Sequence, residues 1–366
     1  MLPFQAAPSL RPKRSEAMRF LQRFAVSIPT ALFLAVVLVG QTLGATWSAK
    51  IVVDQSSVGL SDLATFANGT AIAALEDCVG GAYCTGIVAL RRSTDGGATW
   101  GPRIRVAPIE EFDEADMPAL AGRGKLVDLV WRGQGLLYRR SRDQGQTFGR
   151  ARYISQVDSV QYPDVARGAD GLVAISWGEW PEFTDQVSVR VSADGGRTFG
   201  AKHSWPSNDT YYTSVAVGDG VVYLAYINAA GQGVLRRSLD AGETWSAAVM
   251  VGYAPAVTAE GSDAYVAGSG MYRRTTNRGA SWSLSAPLAP PGSNLYDSFI
   301  SLQDGVARAV YGGPTGMYYR QSADGLNWST PQKVSLQSDG FVGRAGDRVV
   351  LLFHNDIKTL AKTRPL

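Results

Sequence analysis

Ser93-Thr94-Asp95-Gly96-Gly97-Ala98-Thr99-Trp100 is the stretch that decides the fold. Its Ser and Asp side chains suit backbone amides in a tight turn, and its glycines supply positive φ. The pattern S-x-D-x-G-x-T-W returns, with close variants, at Ser141–Phe148, Ser192–Phe199, Ser238–Trp245 and Thr275–Trp282. A copy one residue shorter runs from Ser322 to Trp328. Successive starts lie 48, 51, 46, 37 and 47 residues apart, a period that marks stacked supersecondary units. Each copy follows an apolar run such as Ile87–Leu90, and the closing Trp or Phe is placed to pack between neighbouring sheets.

Short turn signals between two apolar runs give a second count. They are Asn68-Gly69, Arg123-Gly124, Asp170-Gly171, Asp219-Gly220, Ser262-Asp263, Asp304-Gly305 and Gly346-Asp347, which makes seven hairpins. The last unit lacks the eight-residue box. Thr46-Trp47-Ser48-Ala49 followed by Ile51-Val52-Val53 reads like Thr244-Trp245-Ser246-Ala247 followed by Val249-Met250-Val251. The N-terminal segment is therefore expected to supply the outer strand of the last unit and close a ring. The expectation is an all-β chain, a β-propeller of seven four-stranded antiparallel blades, with six blades as the alternative.

The chain has 366 residues, 45% hydrophobic and 18% charged, so it is not a disordered chain. The 41 glycines and 36 aromatic residues fit many short strands and turns. Two His and two Cys exclude Cys/His zinc clusters and a dense disulfide scaffold. The net charge of +3 comes from the first 45 residues, which carry five bases and one acid. The remaining 30 bases and 31 acids are near balance, which gives no electrostatic case for nucleic acid. Arg19 and Arg23 precede an apolar run from Phe24 to Gly40, with Thr42, Gly44 and Ala45 after it. This is the layout of a signal peptide over residues 1–45, with Met18 an alternative start; an uncleaved anchor is the competing reading. The expected product is one domain, residues 46–366, secreted or periplasmic, not membrane-spanning and monomeric. Cys78 and Cys84 flank a short Gly-containing loop, and a disulfide between them suits that compartment.

The boxes resemble the Asp-box, or BNR, repeats of the sialidase-like propeller superfamily, over roughly residues 46–364. The resemblance implies that Asp95, Asp143, Asp194, Asp240, Asn277 and Asp324 are structural turn residues, away from the ligand face. Such repeats serve several activities, so function must be argued from a site. True sialidases are similar in carrying an Arg-Ile-Pro motif on the first inner strand. Here the corresponding stretch reads Gly59-Leu60-Ser61-Asp62-Leu63-Ala64, and no Arg occurs from Ile51 to Leu90. The natural bidentate clamp for a sialate carboxylate therefore lacks its first member.

Ligands of propellers usually meet the loops that join blade to blade and the second strand to the third. Tyr162, Tyr211, Tyr212, Tyr253 and Tyr296 precede inner strands, and Gly178-Glu179-Trp180-Pro181-Glu182-Phe183 is the most distinctive insertion. Aromatic rings beside carboxylates suit sugars or peptides, and rings wedged between blades are the competing reading. Tyr162, Glu179, Trp180, Tyr212 and Tyr296 are the candidate ligand residues. Glu179, Glu182, Asp116, Asp164 and Asp297 contain candidates for a glycosidase carboxylate pair. The acidic run Glu110–Asp116 is either a solvated loop or a Ca²⁺ ligand set, and no metal or cofactor is expected. His203 and His354 lie far apart without a Ser–His–Asp motif. Arg91, Arg139, Arg190, Arg236, Arg273 and Arg320 stand two residues before each box, and a position repeated in every blade reads as scaffold. The expected function is a binding module for a glycan or an extracellular protein or peptide, with a glycoside hydrolase as the alternative.

Overall fold

The computed structural model describes residues 45–366, except 56, 58, 80–84, 107–114, 182–184, 254, 291–292, 294–297, 314, 338–339 and 356–357. The segment read as an export signal, Cys84 and Tyr296 lie outside the described residues. Among those described, the chain is all-β and forms seven four-stranded antiparallel sheets. The alternative of six blades is therefore set aside.

Six blades are built from consecutive strands, and the seventh is completed from the other end of the chain. Ile51–Asp54 pairs with Lys358–Pro365, in register Ile51↔Ala361 and Val52↔Leu360. The Ser48 amide donates to the Thr363 carbonyl at 2.8 Å, and the Thr363 amide donates to Ser48 Oγ at 3.0 Å. Ring closure thus follows the echo between residues 46–53 and 244–251.

Each blade is covered on both faces, so its second strand is mostly apolar and does not alternate, with Asp128, Ser176 and Arg308 among the buried polar exceptions. Val221–Ile227 is buried throughout. The hairpins before these strands need left-handed backbone. Asp219 and Gly220 adopt φ of 48° and 74°, and Asp304 and Gly305 adopt 53° and 69°. In the fifth blade the turn sits one residue earlier than the sequence suggested. Gly261 carries the positive φ, 58°, and Asp263 already belongs to the second strand.

The boxes form the turns between third and fourth strands. In the first box, Ser93 Oγ donates to Asp95 Oδ1 at 2.7 Å and accepts the Gly97 amide at 2.9 Å. Asp95 also accepts the Thr99 amide at 2.9 Å and the Thr99 hydroxyl at 2.6 Å. The same bonding recurs around Asp143, Asp194, Asp240, Asn277 and Asp324. The box aromatic then packs into the interface with the preceding blade. Phe148 packs on the cluster of blades one and two, Phe199 on two and three, and Trp245 on three and four. Trp100 fills the junction of blades seven and one. Trp47 occupies the corresponding place between blades six and seven, with its ring 5.2 Å from Tyr319 and the Arg364 guanidinium 5.3 Å away. The boxless blade has therefore kept its wedge.

The repeated arginines are scaffold. Arg91, Arg236, Arg273 and Arg320 donate to the carbonyl that follows the box aromatic, at 2.7–2.9 Å. Arg139, Arg273 and Arg320 also reach the backbone of the preceding blade, at Val106, Met250 and Leu288. A second arginine, one residue nearer the box, ties forward. Arg92, Arg140, Arg237 and Arg274 donate to carbonyls in the next box, those of Gln144, Gly195, Arg278 and Asp324. The seam where the ring closes has its own tie: the buried Asp54 carboxylate takes Arg91 Nε at 2.8 Å and Arg103 Nε at 2.7 Å.

Candidate functional site

Antiparallel blades place the box turns and the first hairpins on one face. The beginnings of the inner strands and the second-to-third loops lie on the other. On that second face a recess of about 420 Å³ opens over the inner strands. All seven blades contribute to it, through Asp62, Met117, Tyr162, Tyr212, Pro255, Phe299 and Phe341 among others. No arginine or lysine is among its lining residues.

Local backbone irregularity aims side chains into this mouth. The inner strands of blades one to three each slip register at their beginning, between Leu60 and Asp62, Asp116 and Ala119, and Gln161 and Asp164. Met117 and Tyr162 take positive φ there, 49° and 39°, which costs about 1–3 kcal/mol for a side chain of this size. A chain of bonds holds them. The Met117 amide donates to Glu76 Oε1 at 2.8 Å, and the Tyr162 amide to Met117 Sδ at 3.4 Å.

Aromatic rings gather on one side of the mouth. Tyr162 and Tyr211 are 5.0 Å apart, and Tyr212 meets Tyr253 edge-on at 5.6 Å. Tyr211 is 54% exposed and Tyr162 40%. Burial, with Tyr211 and Glu76 nearby, raises the Tyr162 hydroxyl above its usual pKa. Trp180 stands just outside the recess, 40% exposed, with its indole N–H donating to Thr210 Oγ1 at 3.1 Å. Its backbone amide donates to Ser159 Oγ at 3.0 Å. Tyr162, Tyr212 and Trp180 therefore belong to one sector, blades three and four.

Glu179 does not join them. It is fully buried and accepts from Trp177 Nε1 at 2.8 Å, Gln186 Nε2 at 2.7 Å, Ser188 Oγ at 2.6 Å and Lys202 Nζ at 2.7 Å. Burial acts to raise its pKa, but these donors hold it below the ordinary range. The insertion it was read into begins two residues later than expected, because Gly178 and Glu179 complete the second strand and Glu179 points into the blade. Of the other carboxylates considered for a pair, Asp116 is held by Arg132, and Glu182 and Asp297 lie outside the described residues.

Three carboxyls do line the mouth, Asp62, Glu76 and Asp164. Asp62 and Asp164 stand at matching places in the first and third inner strands. Asp62 accepts the Leu63 amide at 2.6 Å and the Leu120 amide of the next blade at 2.7 Å. Asp164 accepts the Val165 and Val215 amides, both at 2.8 Å. Burial pushes Asp62 up to about 7 and Asp164 to about 6, against the pull of those amides. The sequence signal for Asp62 was an Asp repeated at the same strand position as Asp164.

Arginines of the neighbouring blades are committed elsewhere. Arg167 pairs with Asp128, Arg344 with Asp304, and Arg132 with Asp116. His354 Nε2 lies 3.0 Å from the Ser57 carbonyl, whereas His203 stacks on Trp205. Among the described residues no group of three His, Cys, Asp or Glu side chains is placed to hold a metal ion. Nor does any described helix have the length and apolarity to cross a membrane.

Comparison with solved structures matches this ring. A Hadza microbial sialidase superposes with a TM-score of 0.50 at 18% identity, over 72% of this chain and 63% of that one. The chain spans less than two thirds of the length of that sialidase. It is also similar to the α-L-arabinanase of Penicillium chrysogenum complexed with arabinobiose, with a TM-score of 0.51, 14% identity and coverage of 87% and 98%. YCF48 bound to D1 peptide gives 0.51, 12% and coverage of 87% and 95%. No protein-family model and no curated protein sequence matches the chain.

Proposed function

We propose that the protein is an exported binding propeller whose loop face takes an uncharged or weakly cationic ligand, a glycan or an extended peptide, across the tyrosine sector of blades three and four. The observation that carries this reading is the make-up of the mouth: tyrosines and prolines around Asp62, Glu76 and Asp164, with no basic residue lining it. Rings of this kind stack on sugar C–H faces or peptide side chains, and carboxylates accept from hydroxyls and amides. An anionic sugar such as a sialoside finds no basic side chain lining the mouth, and a buried charge-assisted contact that is lacking lowers affinity by several kcal/mol. The known ligands of structural neighbours, arabinobiose for one and a D1 peptide for another, fit this range. A glycan array and a peptide library probed with the secreted protein test the reading. Binding that Tyr211→Ala and Trp180→Ala weaken, without a change in melting, supports it. Rapid turnover of a fluorogenic α-sialoside refutes it.

A glycoside hydrolase is the second reading, favoured by the raised pKa values of Asp62 and Asp164. Against it, both oxygens of each carboxyl already hold a backbone amide, one from its own strand and one from the next blade. Chromogenic glycoside hydrolysis that disappears in Asp164→Asn would favour this second reading.

A further inference from the structure

The opposite face of the ring carries a feature that the loop face does not use. Between blades two and three a cleft of about 330 Å³ is lined by Arg140, Arg142, Arg150, Arg152 and Arg197, with Tyr138 at its base. Residues 121–152 carry eight Lys or Arg against two Asp, although residues 46–366 together are nearly neutral. Both of those Asp are engaged. Asp128 is buried against Tyr138 and Arg167, and Asp143 is bound within its own box. Among the described residues no carboxylate forms an ion pair with any of the five arginines.

Repetition separates scaffold from specialisation here. Arg140 is a repeated residue with a repeated duty, the forward tie to the next box. Arg142 and Arg150 have no basic counterpart in any other boxed blade, and Arg152 is matched only by His203. The residues matching Arg142 are Thr94, Ala193, Leu239, Thr276 and Ala323. Those matching Arg150 are Pro102, Ala201, Ala247, Leu284 and Thr330. The blade architecture does not require these charges. Arg152 is locked, with its guanidinium 4.7 Å from the Tyr138 ring and 5.4 Å from the Phe199 ring, and it donates to the Gly196 and Arg197 carbonyls. Arg142, Arg150 and Arg197 are exposed around it.

We propose that this cleft is an anion-binding site for a compact ligand bearing phosphate or sulfate ester groups. Guanidinium forks match the oxygens of both groups, and five positive charges without a paired acid favour a multivalent oxyanion over a single carboxylate. The two rings at its base are covered by Arg152, which leaves no open face there for a nucleobase to stack on.

Calorimetric titration of the purified protein with inorganic pyrophosphate and with sucrose octasulfate tests the assignment, at about 50 mM and then about 300 mM salt. The expected result is saturable binding of at least one probe that weakens with salt. Arg142→Ser/Arg150→Ser/Arg197→Ser should weaken it about ten-fold or more, at an unchanged melting temperature. Should the triple variant misfold, Arg150→Ser alone reads the same loss on a smaller scale. Tighter binding of the octasulfate identifies a sulfated saccharide as the source, and tighter binding of pyrophosphate a phosphate ester. The assignment is overturned if neither probe binds, if the triple variant binds equally well, if Arg105→Ser on the outer strand of blade one has the same effect, or if only phosphatidylglycerol vesicles are bound.

Discussion

Removing the Asp54 carboxylate is the sharpest test of how the ring is held shut. Asp54 ends the strand that the N-terminal segment lends to blade seven, and its carboxylate bonds Arg91 and Arg103 of blade one. The carboxylate is fully buried, while the two arginine side chains are 22% and 28% exposed. Taking one partner out of a buried pair typically costs about 3–5 kcal/mol. Water reaches both guanidinium groups in part, so about 2–4 kcal/mol is expected for Asp54→Ala. That is a large share of the roughly 5–15 kcal/mol by which a domain is stable. Urea unfolding followed by tryptophan fluorescence should show a midpoint lowered by about 1 M, at a slope near 3 kcal/mol/M that does not change. Arg103→Gln should add little once Asp54 is gone, because its partner has already been removed. A loss under about 1 kcal/mol at unchanged slope, or full additivity of the two substitutions, would refute the seam as drawn.

Asp143→Ala removes the acceptor of four box bonds on an exposed turn, and a loss of about 1–2 kcal/mol in chemical unfolding is expected, with ligand affinity at the opposite face unaltered. Asp62 and Asp164 have pKa values raised by folding, so their neutral forms favour the folded state and that contribution is lost as pH rises through about 6 to 7. Stability of the wild type relative to Asp62→Asn should therefore grow as pH falls from about 8 to about 5, and a flat or falling difference in melting temperature contradicts the assignment. Trp180→Ala should leave melting unchanged within about 0.5 kcal/mol, as an exposed rim residue does, and circular-dichroism melting checks it.

What the sequence made legible was everything that repeats. A turn that must bond its own amides needs Ser, Asp and Gly in fixed order, so boxes and hairpins announce the blades, and the likeness of Trp47 to Trp245 announces the closure. A recess assembled from seven inner strands leaves no such trace, because Asp62, Met117, Tyr162 and Phe341 meet across the ring and not along the chain. Tyr162 and Tyr212 could be picked out because both mark the start of inner strands, Tyr162 as the second residue of its strand and Tyr212 just before its own. Glu179 was misplaced because the second strand runs two residues further than its apolar run, and a strand covered on both faces buries every residue it gains. Bulges at Met117 and Tyr162 have no sequence signature of their own, so the side chains they aim could not be ranked above their neighbours.

The pairing of Ile51 with Ala361 also sets an order of events in time. Six sheets are built from neighbours in the chain and can assemble as each stretch leaves the ribosome, whereas the seventh waits for the last strand to be made. The N-terminal partner is the earliest part of the domain to be synthesised and the last to find its place. Until then Trp47 and the edge of Lys358–Pro365 have no cover, which makes the nearly finished ring the species most exposed to wrong partners. A segment of fewer than ten residues thus governs not only whether the circle holds but when it can first exist.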